Sequence, residues 1–289
     1  MENLIAAVAS YVTWISSNSN ALFVVAATAA FVAAETVLRS SDQPSWRGRI
    51  GNMFYVLTLL AVYVFLYPLI ALVTNQAAAL VGGPYLNLTT NAAGSVLPMI
   101  AGLLVYAAVF DFFYYWHHRL QHRSATLWLT HKLHHVDESL NVTTTFKHHW
   151  LDDVARVFTM YVPMGILFKF EPITIWWLNY VLTLHGMLVH MNIDLQWGRL
   201  TLLLTSPSYH RIHHSVRPEH IDRNFAFYFP VLDYAFGTYV KPIPGDRPQT
   251  GLSSGEKISG LFESHAYPFR AAVNAVRKWM SADSRKGNA

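Results

Sequence analysis

The chain has 289 residues, of which 53% are hydrophobic and only 13% charged, with a net charge of +4 and no cysteine. The charged share is about half that of a soluble protein, which points to one membrane domain rather than two soluble ones. Disulfides, iron–sulfur clusters and thiolate zinc sites are excluded, and the positive residues form no basic stripe of the kind nucleic acid requires.

The opening Met1-Glu2-Asn3 is acidic rather than basic and leads into an apolar stretch without a cleavage site. Residues 4–15 are therefore predicted as a short interfacial or membrane-entering helix, not a signal peptide. Three stretches long enough to span a bilayer follow, at 21–38, 53–74 and 96–116, since a span takes roughly 20 helical residues. Glu35 lies near the end of the first, where tilt or snorkelling would bring it to the margin. Arg39, Arg47 and Arg49 separate the first two stretches, the loop 75–95 has no Lys or Arg, and Arg119, Arg123 and Lys132 follow the third. By the positive-inside rule, both cationic regions belong to the cytoplasmic side.

Residues 154–168 and 173–191 are again apolar, broken by Lys169-Phe-Glu171-Pro172. The first arm is short for a full crossing, so a helical hairpin that dips deeply, or barely crosses, and returns to its starting face is predicted. From Leu195 the chain reads as a cytosolic cap. Residues 267–280 are amphipathic, which suits either a membrane-surface helix or a solvated terminal one. The fold expected is all-α: an integral-membrane helical bundle with a cytosolic histidine-lined di-metal cap. It divides into N-terminal membrane helices and loop (1–95), a histidine-rich domain (96–240) and a C-terminal tail (241–289).

The chemistry is concentrated. Fourteen of fifteen histidines lie between His117 and His220. Their main clusters are His118-Arg-Leu-Gln-His122, His131-Lys-Leu-His134-His135 and His210-Arg-Ile-His213-His214. Neutral imidazole is the commonest metal ligand, and this many exceed what a single ion takes. On a helix, Asp111, Tyr115, His118 and His122 share one stripe, while His117 falls about 100° away; phasing thus selects His118 as the partner of His122. Within each His-x-x-His-His the three rings occupy one face. Asp111 is expected either to hold an imidazole N–H or to pair with an arginine at the helix end. His149 and His190 stand at the two ends of the apolar hairpin, back beside the clusters. His148 and His185 read equally as core residues or as support for the ligands, and His220 and His265 as solvent-exposed residues without a role. There is no His-Glu-x-x-His, Gly-x-Ser-x-Gly, P-loop or dinucleotide fingerprint.

These motifs resemble the fatty acid hydroxylase/sterol desaturase superfamily of integral-membrane non-haem di-iron enzymes, over about residues 96–239. The shared order is Asp-x-x-x-Tyr-Trp-x-His-Arg-x-x-His (Asp111 to His122), His-Lys-x-His-His, a segment around Asn141 to His149, His190-Met-Asn192, and Thr205-Ser-Pro-Ser-Tyr-His210-Arg-Ile-His213-His214. Ile221-Asp222-Arg-Asn224 and Asp233 to Thr238 resemble later blocks of bacterial and alkylglycerol-monooxygenase-like members. Departures are Lys147 for an arginine, Trp150 for a proline and Phe225-Ala226 for Tyr-Gly; Asp152 sits where the family has an acidic residue.

The resemblance implies two iron ions, with zinc as another metal imidazole suits. They would activate O2 against an unactivated C–H bond of a lipid drawn from the bilayer. The product is an alcohol, or a double bond if a second hydrogen is lost. No reductase module is recognisable, so the electron donor is external. The expected metal ligands are His118, His122, His131, His134, His135, His149, His190, His210, His213 and His214, supported by Asp111, Asn192 and Asp222. The alternatives are a desaturase on the same centre and a non-catalytic metal-binding or transport protein; the latter should string ionisable residues through its spans.

Overall fold

The computed structural model describes residues 18–38, 44–87, 96–169, 172–258 and 260–286. The helix predicted over residues 4–15 lies outside them. The described chain is overwhelmingly helical, with two strands of two residues each.

Helix α1 (Asn18–Val37) is followed by α2 (Trp46–Leu80), whose first turn is capped by Ser45 Oγ accepting from Gly48 N at 3.0 Å. α2 outruns the predicted second stretch at both ends: 35 residues make about 52 Å of helix at ~1.5 Å each. α3 (Val96–Arg123) likewise continues beyond residue 116 to carry His118 and His122. Among the described helices, two segments are long and apolar enough to cross a membrane, Trp46–Leu66 and Ile100–Arg123. The first predicted stretch survives as the shorter apolar segment Leu22–Val37.

Ser124 ends α3 and caps α4 (Ala125–His135), so the chain turns within one residue. A 3-10 turn, Val142–Phe146, is set by a reciprocal Asn141–Thr144 cap. The apolar hairpin then descends through α5 (Trp150–Arg156), a π-helical turn (Val157–Tyr161) and α6 (Val162–Leu167). Its tip strand β2 (Phe168–Lys169) pairs in parallel with β1 (Leu86–Asn87), just beyond α2. The short arm therefore reaches the far end of α2. Gly165 permits this approach, because a Cβ there would lie 2.0 Å from Thr74 Cγ2. α7 (Pro172–His190) returns the chain, and α8 (Pro207–His213), α9 (Val231–Ala235) and α10 (Leu261–Lys286) complete the cap.

The burial pattern is inverted relative to a soluble domain. Leu57, Phe65 and Leu104 are exposed on α2 and α3, while Glu35, Arg49 and Asp111 are buried. Glu35 does not snorkel. It is 1% exposed, pairs with Arg49, and accepts from Val142 N at 3.1 Å and Asn192 N at 2.6 Å. Arg49, which the sequence places between the first two apolar stretches, belongs to α2 and is buried. A paired, hydrogen-bonded carboxylate in an apolar bundle is far less costly than an isolated one.

A candidate dinuclear metal centre

Four helices end at one place. His118 and His122 lie in the last two turns of α3; His131, His134 and His135 in the last turns of α4; His190 closes α7; His210 and His213 end α8, with His214 as its cap residue. Each helix C-terminus presents carbonyls equivalent to roughly half a negative charge, so four together favour cations.

The side chains form two adjacent groups, His118, His122, His131, His135 and His213 in one and His134, His190, His210 and His214 in the other. Within a group, one nitrogen per ring lies within 4.8 Å of all the others. In the first, His131 Nε2 is 3.1 Å from His118 Nε2 and 3.2 Å from His135 Nε2. In the second, His190 Nε2 meets those of His134 and His210 at 3.1 and 3.0 Å, and His210 Nε2 meets His214 Nε2 at 3.1 Å. The groups adjoin through stacked His135 and His214, with ring centroids 4.3 Å apart.

The outer nitrogens decide what the inner ones can do. His118 Nδ1 donates to Phe225 O at 2.8 Å, His190 Nδ1 to Gly186 O at 2.7 Å and His213 Nδ1 to Arg223 O at 2.9 Å. A carbonyl only accepts, so each ring carries its proton on Nδ1 and turns a bare Nε2 lone pair inward. Nε2 of His122 and His213 are buried without a hydrogen-bond partner. Lone pairs converging at about 3 Å repel unless a cation lies between them. With a metal–nitrogen bond of about 2.1 Å, ligands at right angles stand about 3.0 Å apart and tetrahedral ones about 3.4 Å. The observed separations fit that range, and the donor set suits iron or zinc.

Burial reinforces neutrality. Desolvation lowers the His131 pKa to about 4, with Asp152 opposing and His122 assisting. His134, His135, His210, His213 and His214 are held well below the usual imidazole range by burial and then by neighbouring imidazoles. Carboxylates back two rings from outside: Asp222 Oδ1 is 3.4 Å from His122 Nδ1, and Asp152 Oδ2 is 3.7 Å from His131 Nδ1. The His122 ring in turn holds the Asp222 carboxyl below its ordinary range. Asp222 and Asn224 adopt left-handed backbone, at φ 57° and 58°, a conformation Asp and Asn tolerate better than most residues.

Other residues singled out in the sequence lie outside the two groups. His149 lies apart from both groups: its Nδ1 accepts from Leu151 N at 3.2 Å to cap α5, and its Nε2 lies 3.3 Å from His265 O. Its neighbour His148 stacks on His134 instead, at 4.2 Å between centroids. Among the described residues, Asp111 holds no imidazole and no arginine. Its carboxylate accepts from Phe227, Tyr228 and Phe229 N at 2.7, 3.0 and 2.5 Å, fixing the segment whose Phe225 carbonyl orients His118. Asn192 Oδ1 receives Arg211 at 3.0 Å and Arg247, so it steadies α8 through the residue after His210. His220 is buried against Ser215, and His265 is only partly exposed. His117 bonds Thr159 outside both groups, and His185 bonds Thr205 and the Phe227 carbonyl.

Sequence reasoning passed over Asp233, which accepts from Phe225 N and Ala226 N at 2.7 and 2.8 Å and so shares the work of Asp111. Its signal was present in the Asp233-to-Thr238 block, since Thr238 Oγ1 also donates to it. Aromatic rings close the site: Trp128 packs on His122 and His135, and Phe225 on His118, His122 and His213. Below His118, Tyr114, Phe110 and Tyr106 continue along the same face of α3 at four-residue steps.

Known proteins place this arrangement. Residues 103–238 match the family model described as fatty acid hydroxylase. Over 194 residues the chain is 28% identical to the ornithine lipid hydroxylase OlsE of Rhizobium tropici, covering 67% of this chain and 58% of that protein. Over 130 residues it is 31% identical to the alkylglycerol monooxygenase of Homo sapiens, covering 45% of this chain and 28% of that protein. A very-long-chain aldehyde decarbonylase of Oryza sativa subsp. indica is 25% identical over 156 residues, 48% of this chain and 23% of that one. The chain thus spans between about a quarter and three fifths of the length of these relatives. No solved structure matches the chain at a significant level. The matched region contains both histidine groups and the carboxylates that brace them, and these findings support the fatty acid hydroxylase superfamily.

Proposed function

We propose that this chain is an O2-dependent hydroxylase of a membrane lipid, built on two iron ions held by the nine clustered histidines. The observation that carries the reading is the pair of adjacent groups whose Nε2 atoms converge at 3.0–3.2 Å. His118, His122, His131, His135 and His213 would hold one ion, and His134, His190, His210 and His214 the other. When bound, two irons supply reduction of O2 and oxidative attack on a C–H bond, with electrons from an external donor.

The protein's own contribution is orientation and dryness. Phe225, Arg223 and Gly186 carbonyls hold protons on the outer nitrogens and keep the inner ones free. Asp222 and Asp152 stand behind His122 and His131; such outer partners typically govern 10–100-fold of affinity or activity. Trp128 and Phe225 exclude water. The aromatic face Tyr106–Phe110–Tyr114 offers an apolar approach toward His118 from within the bundle.

The domain spanning 96–240 is the catalytic unit in this reading. The bundle is multi-pass in this reading, with the histidine site on the cytoplasmic side, to which the positive-inside rule assigns the sequence segments carrying Arg47, Arg119, Arg123 and Lys132. Substrate enters laterally from the bilayer. The named activities of the ornithine lipid and alkylglycerol relatives support a polar membrane lipid as its class. Lipid mass spectrometry of cells with the intact chain and with a His213→Ala chain tests this. A lipid heavier by one oxygen, present only with the intact chain, is expected; a species lighter by two hydrogens would make it a desaturase. No lipid change despite a metal-loaded chain would favour metal storage or transport.

A further inference from the structure

The last helix is amphipathic on a side that the rest of the described fold leaves uncovered. Phe262, Phe269, Val273, Val276 and Met280 of α10 are each at least 49% exposed. At about 100° per residue they fall within a stripe roughly 60° wide. The opposite side is tied down: Tyr55 donates to Ser264 Oγ at 2.6 Å, and Tyr267 bonds Lys132, which also pairs with Glu256 at 2.6 Å. Lys132 lies between His131 and Leu133 of α4, so α10 is fastened to a helix that carries three of the clustered histidines.

Two features identify what the stripe meets. Within α10, Arg270, Arg277, Lys278, Arg285 and Lys286 stand against Glu263 and Asp283 alone, a marked cationic excess. The helix also departs from α2 at Tyr55, between Phe54 and Leu57, which are 49% and 60% exposed on the candidate span. A narrow apolar stripe with a basic excess, on a helix packed beside a candidate membrane span, has the chemistry of a helix lying in the headgroup–acyl boundary.

We propose that α10 is an in-plane membrane anchor that binds anionic phospholipid, sinking its apolar stripe while Arg270 and Arg277 meet phosphate. Arg270 carries an exposed pair with Glu263, which a lipid phosphate can replace. Through Lys132 the anchor fixes α4, and with it one side of the histidine site, at a set depth relative to the surface that delivers substrate. This inference rests on the reading of α2 and α3 as membrane spans.

The chain lacks cysteine, so single labels are unambiguous. The full metal-loaded chain carries an environment-sensitive fluorophore at Val276→Cys, at Asn274→Cys off the stripe, or at Phe65→Cys on the exposed face of α2. Each is placed in nanodiscs of phosphatidylcholine with or without phosphatidylglycerol, and read with lipid-borne and aqueous quenchers. The expected result is lipid quenching at 276 and 65, aqueous quenching at 274, and stronger lipid quenching at 276 with phosphatidylglycerol. Arg270→Gln and Arg277→Gln should each weaken that anionic dependence about fivefold. Aqueous quenching at 276 with lipid quenching at 65 overturns the anchor and leaves the spans standing. Protection of 276 from both quenchers also overturns it, naming a protein surface as the occupant. Aqueous quenching at 65 overturns the membrane reading and the anchor together.

Discussion

His148 and His149 show how one residue position separates a site histidine from a structural one. His149 spends both ring nitrogens on capping α5 and facing the His265 carbonyl, whereas His148 lies flat on His134. His149→Ala is therefore expected to lower stability by about 1 kcal/mol, the usual worth of a helix cap, and to leave the metal content of the purified chain unchanged. His213→Ala is expected to abolish hydroxylation and metal in the first group. Loss of metal on His149→Ala alone would contradict the placement. The metal-free chain should also be acid-sensitive. His131 has a folded-state pKa of about 4, below the ~6.5 of an unfolded histidine, so the unfolded chain takes up protons the folded one refuses. Its contribution is intact above pH ~6.5 and falls away toward pH ~4. Denaturation of the apo chain in detergent across that window checks this; constant stability would show the imidazoles are not buried neutral.

At the level of elements, the segment from Phe225 to Phe229 matters as much as the helices. It has no regular structure, yet Asp111 and Asp233 together accept five of its backbone N–H groups. Asp111→Ala should cost about 3 kcal/mol or more by stranding buried donors, and should broaden any metal spectrum through the loosened His118. Unaltered thermal unfolding of the purified variant would refute that role. Gly165→Val should destabilise the packing of α6 on α2 by about 1–3 kcal/mol, because the β-branched Thr74 has little room to retreat. Near-normal stability in a detergent melt would show that the hairpin tip is loosely packed. These elements also mark what the sequence could and could not reveal. The histidines at three- and four-residue steps were legible because a helix turns them to one face, and phasing separated His118 from His117. Across residues 147–149 the chain is not helical, so no periodicity could choose between His148 and His149. Asp111 was misread because its partners are backbone N–H groups 116 to 118 positions away, and a backbone donor leaves no trace in side-chain pattern.

At the scale of the whole molecule, an apolar exterior surrounds a polar interior concentrated at one end. The buried Glu35–Arg49 pair joins the first two helices to the 3-10 turn at Val142 and the corner after His190. The first two helices therefore brace the site. Their role escaped sequence reading because a lone acid at a span's margin resembles a snorkelling one until its partner is located. In the proposed reading, the four converging helix ends, the clustered imidazole nitrogens and the surrounding carboxylates all serve one end, the holding of two cations side by side. Metal analysis with Mössbauer spectroscopy, on the full chain purified from iron-replete cells, tests this most directly. The expected result is two iron ions per chain, magnetically coupled as neighbours; a single ion, or two that do not sense one another, would contradict it.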